Sequence, residues 1–220
     1  MQRSILKTAD LSNTIYLREL DETFHSTNGA LQESIHVFIR AGLNEIIKRK
    51  KKITIFEMGY GTGLNAILTF IESTINNIEV SYTSIEAYPL EKKLMDELDF
   101  KNLIEIEFHP FFDKIQESKW NETCSINDIF SLEKIHTKFE DYDLDSTFDL
   151  VYFDAFAPDK QPELWTEEIF KRIFDNMNEG GIIVTYSAKG EVRRCMQRAG
   201  FTVERLPGPI GKREMLRAGK

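Results

Sequence analysis

Residues 53–63 of the chain read ITIFEMGYGTG, a short apolar run followed by Gly59, Gly61 and Gly63. The apolar run is rich in β-branched residues, which is typical of a buried strand. Residues 63–75 then show the apolar periodicity of a helix, with one stripe facing inward. A strand that passes through a glycine loop into a helix predicts a nucleotide-binding unit.

The same alternation of strand and helix continues through the chain. We expect strands at 53–58, 80–87, 103–108, 130–137, 148–156 and 182–187, and an antiparallel pair at 201–206 and 213–218. Helices are expected at 31–47, 63–75, 89–98, 167–177 and 191–199, with Gly180 and Gly181 ending the fourth. This pattern predicts an α/β fold with a doubly wound, Rossmann-like sheet, mostly parallel with an antiparallel C-terminal strand.

The segments outside this pattern predict the domain organisation. Residues 1–30 and 109–129 are polar and are expected to be irregular. We expect residues 1–50 to form an extension and a helix packed on the core, and residues 51–220 to form one domain of the class I methyltransferase type.

Composition excludes several classes of protein. The 220 residues are 41% hydrophobic and include 16 Phe, 7 Tyr and 2 Trp, which excludes a disordered chain. No run approaches the roughly 18 apolar residues of a membrane span, and the N-terminus lacks a secretory apolar core. Cys124 and Cys195 cannot supply a disulfide framework or a four-ligand zinc site. We therefore expect a cytoplasmic protein without a metal, and no protein partner is evident.

Charge is distributed unevenly. The net charge is −8, but residues 189–220 carry nine basic and three acidic side chains, a net +6 that leaves −14 on residues 1–188. Such asymmetry fits either a solvated basic tail or a basic docking surface on an acidic body.

The spacing of the glycine loop selects the ligand. A dinucleotide fingerprint needs a third glycine at position 64, where Leu64 stands, so a nicotinamide enzyme is not supported. Glu57 precedes the loop and would repel a pyrophosphate. An acidic residue there suits a ligand with an ammonium and a sulfonium, which indicates S-adenosylmethionine held by Glu57, Gly59, Gly61 and Gly63.

Two further acids follow predicted strands. Glu86 ends the second strand and can accept hydrogen bonds from both hydroxyls of a ribose. Asp154 ends the apolar run 148–153, where ligands of parallel sheets bind, and it would be partly desolvated and able to accept hydrogen bonds from an amine. Phe156 is placed to stack on a flat ring, whereas Trp165 is expected in the core.

Several motifs together resemble a known family. They are MGYGTGLN (58–65), FDAFAP (153–158), PELW (162–165), VRR (192–194), AGF (199–201) and KREM (212–215). They look like the methyltransferase domain of the tRNA 5-methylaminomethyl-2-thiouridine methyltransferases, which modify the wobble uridine. The resemblance covers nearly the whole chain, including the segment from Tyr16 to Phe38 with Glu33.

This resemblance implies methyl transfer from S-adenosylmethionine to the exocyclic amine of 5-aminomethyl-(2-thio)uridine in tRNA. It assigns the three glycines to the amino-acid end of the cofactor, Glu86 to its ribose and Asp154 to the amine. Many members carry an acid for the adenine where this chain has Lys138, so Glu140 or Asp141 is expected to take that contact. Many members also carry a flavin oxidase domain, and we expect no flavin here because the chain ends at Lys220.

Transfer RNA requires cationic contacts, and the basic C-terminal segment is the expected place. The candidates are Arg194, Arg198, Lys212 and Arg213. Arg194 and Arg198 are preferred because Arg193 and Arg213 have acidic neighbours with which to pair. A flipped wobble base would stack on an aromatic side chain such as Phe156.

Two other readings stay open. A small-molecule amine transferase of the same fold, transferring methyl or aminopropyl groups, would use the same loop and acids, and the net charge of −8 favours it. A non-catalytic RNA-binding module is disfavoured because Glu57, the three glycines, Glu86 and Asp154 are all present.

Overall fold

A computed structural model describes residues 2–220 as a mixed α/β fold around one large sheet. Its eight strands lie in the order β10-β11-β9-β8-β4-β5-β7-β6. Their bounds are β4 Lys52–Met58, β5 Glu79–Glu86, β6 Thr123–Asn127, β7 Phe130–His136, β8 Phe148–Phe153, β9 Met177–Thr185, β10 Thr202–Pro207 and β11 Glu214–Gly219. The five strands from β9 to β7 are parallel, and antiparallel strands flank them at both edges. The predicted doubly wound fold is confirmed.

Helices cover both faces of this sheet. A continuous helical stretch runs from α1 (Ala30–Ser34) through a π-helical segment (Ile35–Leu43) to α2 (Asn44–Ile46), and it packs on one face with α3 (Leu64–Ile75). The other face is covered by α6 (Glu167–Asp175) and α7 (Gly190–Ala199). Shorter helices α4 (Lys92–Glu97) and α5 (His109–Glu117) lie between β5 and β6. Each face therefore has its own apolar cluster, and the parallel strands are buried on both sides.

The N-terminal segment is ordered, contrary to the expectation of irregular chain. It forms a three-stranded antiparallel sheet, with β1 Arg3–Lys7, β2 Asn13–Leu17 and β3 Glu22–Thr23. Its inward side chains Ile15 and Leu17 join the same apolar cluster as the large sheet. The sequence does contain alternating apolar residues here. The strands were nevertheless not predicted, because they are short and their outward side chains are polar. The predicted domain boundary at residue 50 stays a prediction. The N-terminal extension shares an apolar core with the rest of the fold, so packing does not mark a boundary there.

Three other local predictions were wrong. Residues 103–108 form short 3-10 turns, Phe100–Leu103 and Ile106–Phe108, because Phe100 and Phe108 are buried while Ile106 is exposed. Residues 109–129 hold α5 and β6 rather than a loop. Gly180 and Gly181 lie inside β9, where the register against β8 shifts, so α6 ends earlier, at the Asn176 cap.

Candidate active site

A cavity of about 570 Å³ opens at the carboxyl edge of the parallel strands. The chain segments that follow β4, β5, β7 and β8 form its floor, and the N-terminal sheet and the turn before β11 close its sides. Ligands of open parallel sheets bind at this edge, among the loops that follow the carboxyl ends of the strands.

The glycine loop forms one wall of the cavity in a backbone conformation that side chains would disturb. Gly59 has φ +91°, and a Cβ on it would lie 2.8 Å from the carbonyl oxygen of Asp154. Gly63 has φ +72°, and its Cβ would meet the Tyr60 hydroxyl at 2.6 Å. The glycines therefore let the loop pass close to the neighbouring strand and to the Tyr60 ring. Gly59 and Gly61 line the cavity, whereas Gly63 does not.

Elements behind the loop hold it in place. Gln116 of α5 donates through Nε2 to the carbonyl oxygen of Thr62 (3.2 Å), and the buried ring of Tyr60 packs edge-on against Trp120. Lys134 lies under both rings and donates to the last carbonyls of α5, while burial lowers its pKa to about 8. Sequence analysis missed this bracing, because α5 was not predicted.

Glu86 reaches the loop from the end of β5. Its Oε2 accepts the amide N–H of Gly61 (3.0 Å), and its Oε1 accepts that of Tyr88 (2.8 Å). Each carboxylate oxygen retains a further acceptor position. The side chain lines the cavity, so its predicted role toward a ribose is compatible with this position and stays a prediction.

Glu57 does not line the cavity, so the predicted direct contact with a cationic ligand is corrected. Its side chain is fully buried on the α3 face of β4, where strand alternation directs it. Oε1 accepts from the Asn65 amide (3.0 Å), and Oε2 accepts from the Ser84 hydroxyl (2.6 Å). Burial raises the pKa of Glu57 to about 8 despite these hydrogen bonds, so the carboxyl is mostly protonated at neutral pH.

Asp154 stands beside the glycine loop because β8 lies next to β4. Its backbone N–H donates to the carbonyl of Met58 (3.0 Å), and its Oδ2 accepts from the Asn65 amide (2.8 Å). Burial and the negative charge of Glu33 raise the pKa of Asp154 to about 7, against the opposing effects of Asn65 and Lys212. The carboxyl can thus accept or release a proton near neutral pH.

The aromatic residues after β8 divide as expected. Phe156 lines the cavity and meets Phe24 edge to face, with ring centroids 5.1 Å apart. Trp165 is buried in the core and donates from Nε1 to the carbonyl of Phe156 (2.8 Å). Phe156 is therefore the aromatic ring of this pair that a ligand can reach.

Glu140 and Asp141, the candidates for the adenine contact, differ in their position relative to the cavity. Glu140 lines the cavity together with Lys138 and Phe139, whereas Asp141 is exposed and does not. The two residues lie on a short 3-10 turn, Phe139–Asp141, which sends their side chains in different directions. Of the two, only Glu140 is compatible with the predicted contact.

The basic candidates also separate. Lys212 lines the cavity, pairs with Glu33 (2.5 Å) and lies 3.9 Å above the ring of Tyr186. Arg213 is exposed and does not line the cavity. Glu33 is buried, so this ion pair joins the first helix to the C-terminal turn across 179 positions of chain.

Arg194 and Arg198 form ion pairs on the surface of α7. Arg194 pairs with Glu191 (2.6 Å), and Arg198 pairs with Glu167 (2.6 Å). The reason for preferring them was therefore wrong, since the acid at position 191 pairs with both rather than with Arg193. Neither arginine lines the cavity.

The N-terminal segment from the end of β3 to α1 supplies lining residues that the sequence pattern did not indicate. His25 lies against the loop, with its Nε2 2.7 Å from the Thr62 hydroxyl. Burial lowers the pKa of His25 to about 4, so the imidazole is neutral at pH 7. Phe24 and Glu33 complete this side. The sequence carried little signal for them, because their partners are distant along the chain.

The fold and the glycine-lined cavity together define a class I S-adenosylmethionine-dependent methyltransferase. Residues 111–220 match the model of the S-adenosyl-L-methionine-dependent methyltransferase family, so the chain belongs to that family.

The relatives indicate the branch of the family. The chain is 30% identical over 213 residues to the tRNA 5-methylaminomethyl-2-thiouridine biosynthesis bifunctional protein MnmC of Campylobacter fetus, covering 93% of this chain and 34% of that protein. It is 30% identical over 216 residues to MnmC of Pseudomonas entomophila, covering 89% and 32%. The chain thus spans about a third of the length of these relatives, and it is related to their methyltransferase domain.

Solved structures agree. MnmC2 from Aquifex aeolicus has a TM-score of 0.79 at 27% identity, covering 99% of this chain and 70% of that one. Spermidine synthase from Thermotoga maritima shares the fold, with a TM-score of 0.61 at 14% identity, covering 99% and 68%. Across residues 2–220, no helix is both long enough and apolar enough to cross a membrane.

Proposed function

We propose that this methyltransferase acts on the exocyclic amine of 5-aminomethyl-(2-thio)uridine at the wobble position of tRNA. The observation that carries the proposal is Asp154, a carboxyl that lines the cavity directly beside the glycine loop. The relation to MnmC supports the choice of substrate.

The residues of the loop wall fit S-adenosylmethionine. Gly59 and Gly61 line the cavity, so a ligand can approach the backbone there. A side chain at Gly59 or Gly63 would collide with the Asp154 carbonyl or the Tyr60 hydroxyl, so the glycines allow the tight course of the loop. Gly59, Gly61 and Gly63 would hold the amino-acid end, Glu86 the ribose and Glu140 the adenine side. When bound, S-adenosylmethionine supplies an electrophilic methyl group on a sulfonium sulfur.

The acceptor side supplies positioning and charge. An amine can attack only with a free lone pair, so it must arrive neutral or lose a proton in the site. Asp154 can accept an N–H hydrogen bond, which orients the amine, and its negative charge stabilises the positive charge that grows on nitrogen. A pKa of about 7 also allows Asp154 to take that proton.

The cationic side chains at the mouth would meet the RNA backbone. Lys138 and Lys160 line the cavity and make no ion pair within residues 2–220. We place the first phosphate contacts at Lys138 and Lys160 rather than at Arg194 and Arg198, which already form ion pairs. Arg213 is a further candidate because it follows Lys212 in the sequence.

A small-molecule amine transferase is the second candidate. The cavity lining within the described residues holds six carboxyl side chains and four cationic ones, which favours a cationic ligand of small size over a polyanion. The acids are Glu22, Glu33, Glu86, Glu140, Asp154 and Glu163.

Labelled-methyl transfer distinguishes the two functions. The enzyme is given S-adenosylmethionine with labelled methyl and one of three acceptors: tRNA that carries the 5-aminomethyl group without its methyl, fully modified tRNA, or a polyamine. Label in the unmethylated tRNA alone, recovered as a methylated wobble nucleoside, supports the proposal. Label in the polyamine alone would refute it and support the second candidate.

A further inference from the structure

The side-chain amide of Asn65 joins two carboxyl groups. Its Nδ2 lies 2.8 Å from Oδ2 of Asp154 and 3.0 Å from Oε1 of Glu57. Asn65 is only 3% exposed and is the second residue of α3, directly after the glycine loop. One amide group therefore connects α3, β4 and the end of β8.

The chemistry of the contact fixes the orientation of each group. A primary amide nitrogen has two hydrogens, and both are used here. Asp154 thus has Oδ2 engaged, whereas its Oδ1 makes no hydrogen bond to residues 2–220. The carboxyl of Glu57 is likewise held at both oxygens, by Asn65 and by Ser84.

We propose that Asn65 is a positioning residue of the methyl-transfer site: it holds Oδ2 of Asp154, so that Oδ1 is the oxygen presented to the acceptor amine. The inference rests on the proposed function, because it needs an amine as acceptor. Since Asn65 lies only two residues after Gly63, the carboxyl and the cofactor wall are also held at a fixed distance from each other.

The hydrogen bond from Asn65 affects the protonation of Asp154 as well as the orientation of its carboxyl group. The charged or titratable groups near Asp154 are Glu57 on β4, Glu33 on α1, Lys212 in the C-terminal turn and Tyr186 after β9. Burial and Glu33 raise the pKa of Asp154, while the Asn65 hydrogen bond and Lys212 lower it. Removal of the amide leaves burial and Glu33 opposed by Lys212 alone, so the pKa must rise.

The test compares Asn65→Leu and Asn65→Ala with Thr69→Val. Thr69 lies one turn further along α3, bonds to the Asn65 carbonyl and Tyr152, and does not line the cavity. Both Asn65 variants should lower kcat by about tenfold or more and move the acidic limb of its pH profile to higher pH, at saturating S-adenosylmethionine. Affinity for S-adenosylmethionine should change by less than about threefold. Thr69→Val should leave the pH profile in place.

A second readout does not depend on turnover. Infrared difference titration detects protonation of carboxyl groups, and the band lost in Asp154→Asn identifies Asp154. In Asn65→Leu and Asn65→Ala that band should titrate at higher pH than in the wild type. Asn65→Ala adds neither bulk nor a titratable group and alanine favours a helix, so it gives the answer even where the leucine variant does not fold.

Two results would overturn the inference. One is an unchanged titration of Asp154 in both variants. The other is a loss of S-adenosylmethionine affinity with kcat and the pH profile unchanged, which would limit Asn65 to support of the loop. Wild-type enzyme that transfers no methyl to tRNA carrying the unmethylated 5-aminomethyl group would refute the proposed function instead, and the infrared titration would still decide the role of Asn65.

Discussion

The two walls of the cavity are built in different ways. The cofactor wall comes from one short stretch, Gly59–Gly63, with Glu86 bonded to its backbone. The acceptor wall brings together Asp154, Glu33 and Lys212, which lie far apart along the chain. The first wall depends on backbone conformation that a local motif encodes, and the second depends on the packing of the whole fold.

The largest expected effect comes from displacing the cofactor wall. Gly59→Val places a branched side chain where φ is +91° and where a Cβ would lie 2.8 Å from the Asp154 carbonyl oxygen, so the loop must shift. Because the shifted loop no longer fits the ligand, we expect S-adenosylmethionine affinity measured by calorimetry to fall roughly 100-fold, or about 2–3 kcal/mol.

Gly180→Ala is the matched control for that variant. Gly180 also has a positive φ, +73°, but it lies in β9 away from the cavity, and the nearest atom to its Cβ is a flexible Arg49 terminus at 3.4 Å. It carries the cost of a positive φ without the backbone clash, and it should bind S-adenosylmethionine normally. Equal losses in both variants would mean that general destabilisation, and not the wall, explains the effect.

The next effect concerns the acceptor wall. Asp154→Asn should lower kcat by roughly 100-fold or more, because an electrostatic partner of the developing charge is lost. S-adenosylmethionine affinity should stay nearly unchanged, in contrast to Gly59→Val. Wild-type kcat should also fall below about pH 7, where Asp154 becomes protonated, and its acidic limb gives the pKa. Turnover of the variant near the wild-type value would leave Asp154 a structural role only.

A smaller effect is expected where RNA approaches the mouth. Lys138→Glu with Lys160→Glu should weaken tRNA binding and flatten the log–log salt dependence by about 1.4–1.8, the value for two lost phosphate contacts. Arg194→Glu with Arg198→Glu is the control with the same change in charge, at side chains already paired with Glu191 and Glu167. Equal flattening by both pairs would indicate a broad electrostatic effect without a defined contact.

The contrast between the walls also explains what the sequence predicted. The strand, the glycine loop and α3 are contiguous, so residue spacing located the cofactor wall. Asp154 was located because it directly follows a buried strand. Phe24, His25 and Glu33 were not identified as lining residues, because only tertiary packing brings the N-terminal sheet and α1 over the loop. Arg198 and Asn65 show the same limit, since their partners Glu167 and Asp154 lie on other elements that spacing does not specify.

Substitution of Glu57 has the smallest expected effect on function. It tests whether Glu57 is part of the cofactor wall. Sequence spacing suggested a direct contact with a cationic ligand, whereas the side chain lies behind the wall with both oxygens bonded inside the protein. Glu57→Gln should therefore leave S-adenosylmethionine affinity within about twofold. A loss of tenfold or more would restore the direct contact.

The same substitution has a second, opposite signature in stability. The pKa of Glu57 is about 8 in the folded protein and near 4.5 when exposed, so between these values the folded state binds a proton that the unfolded state does not. The contribution of this group to folding therefore falls as pH rises from about 5 to 8. Glutamine cannot ionise, and it keeps an oxygen for Asn65 and a donor for Ser84. In denaturant unfolding, the free energy of unfolding of Glu57→Gln relative to the wild type should increase across that interval, by on the order of 1–3 kcal/mol at pH 8. A constant difference across the interval would mean that the buried carboxyl ionises without cost.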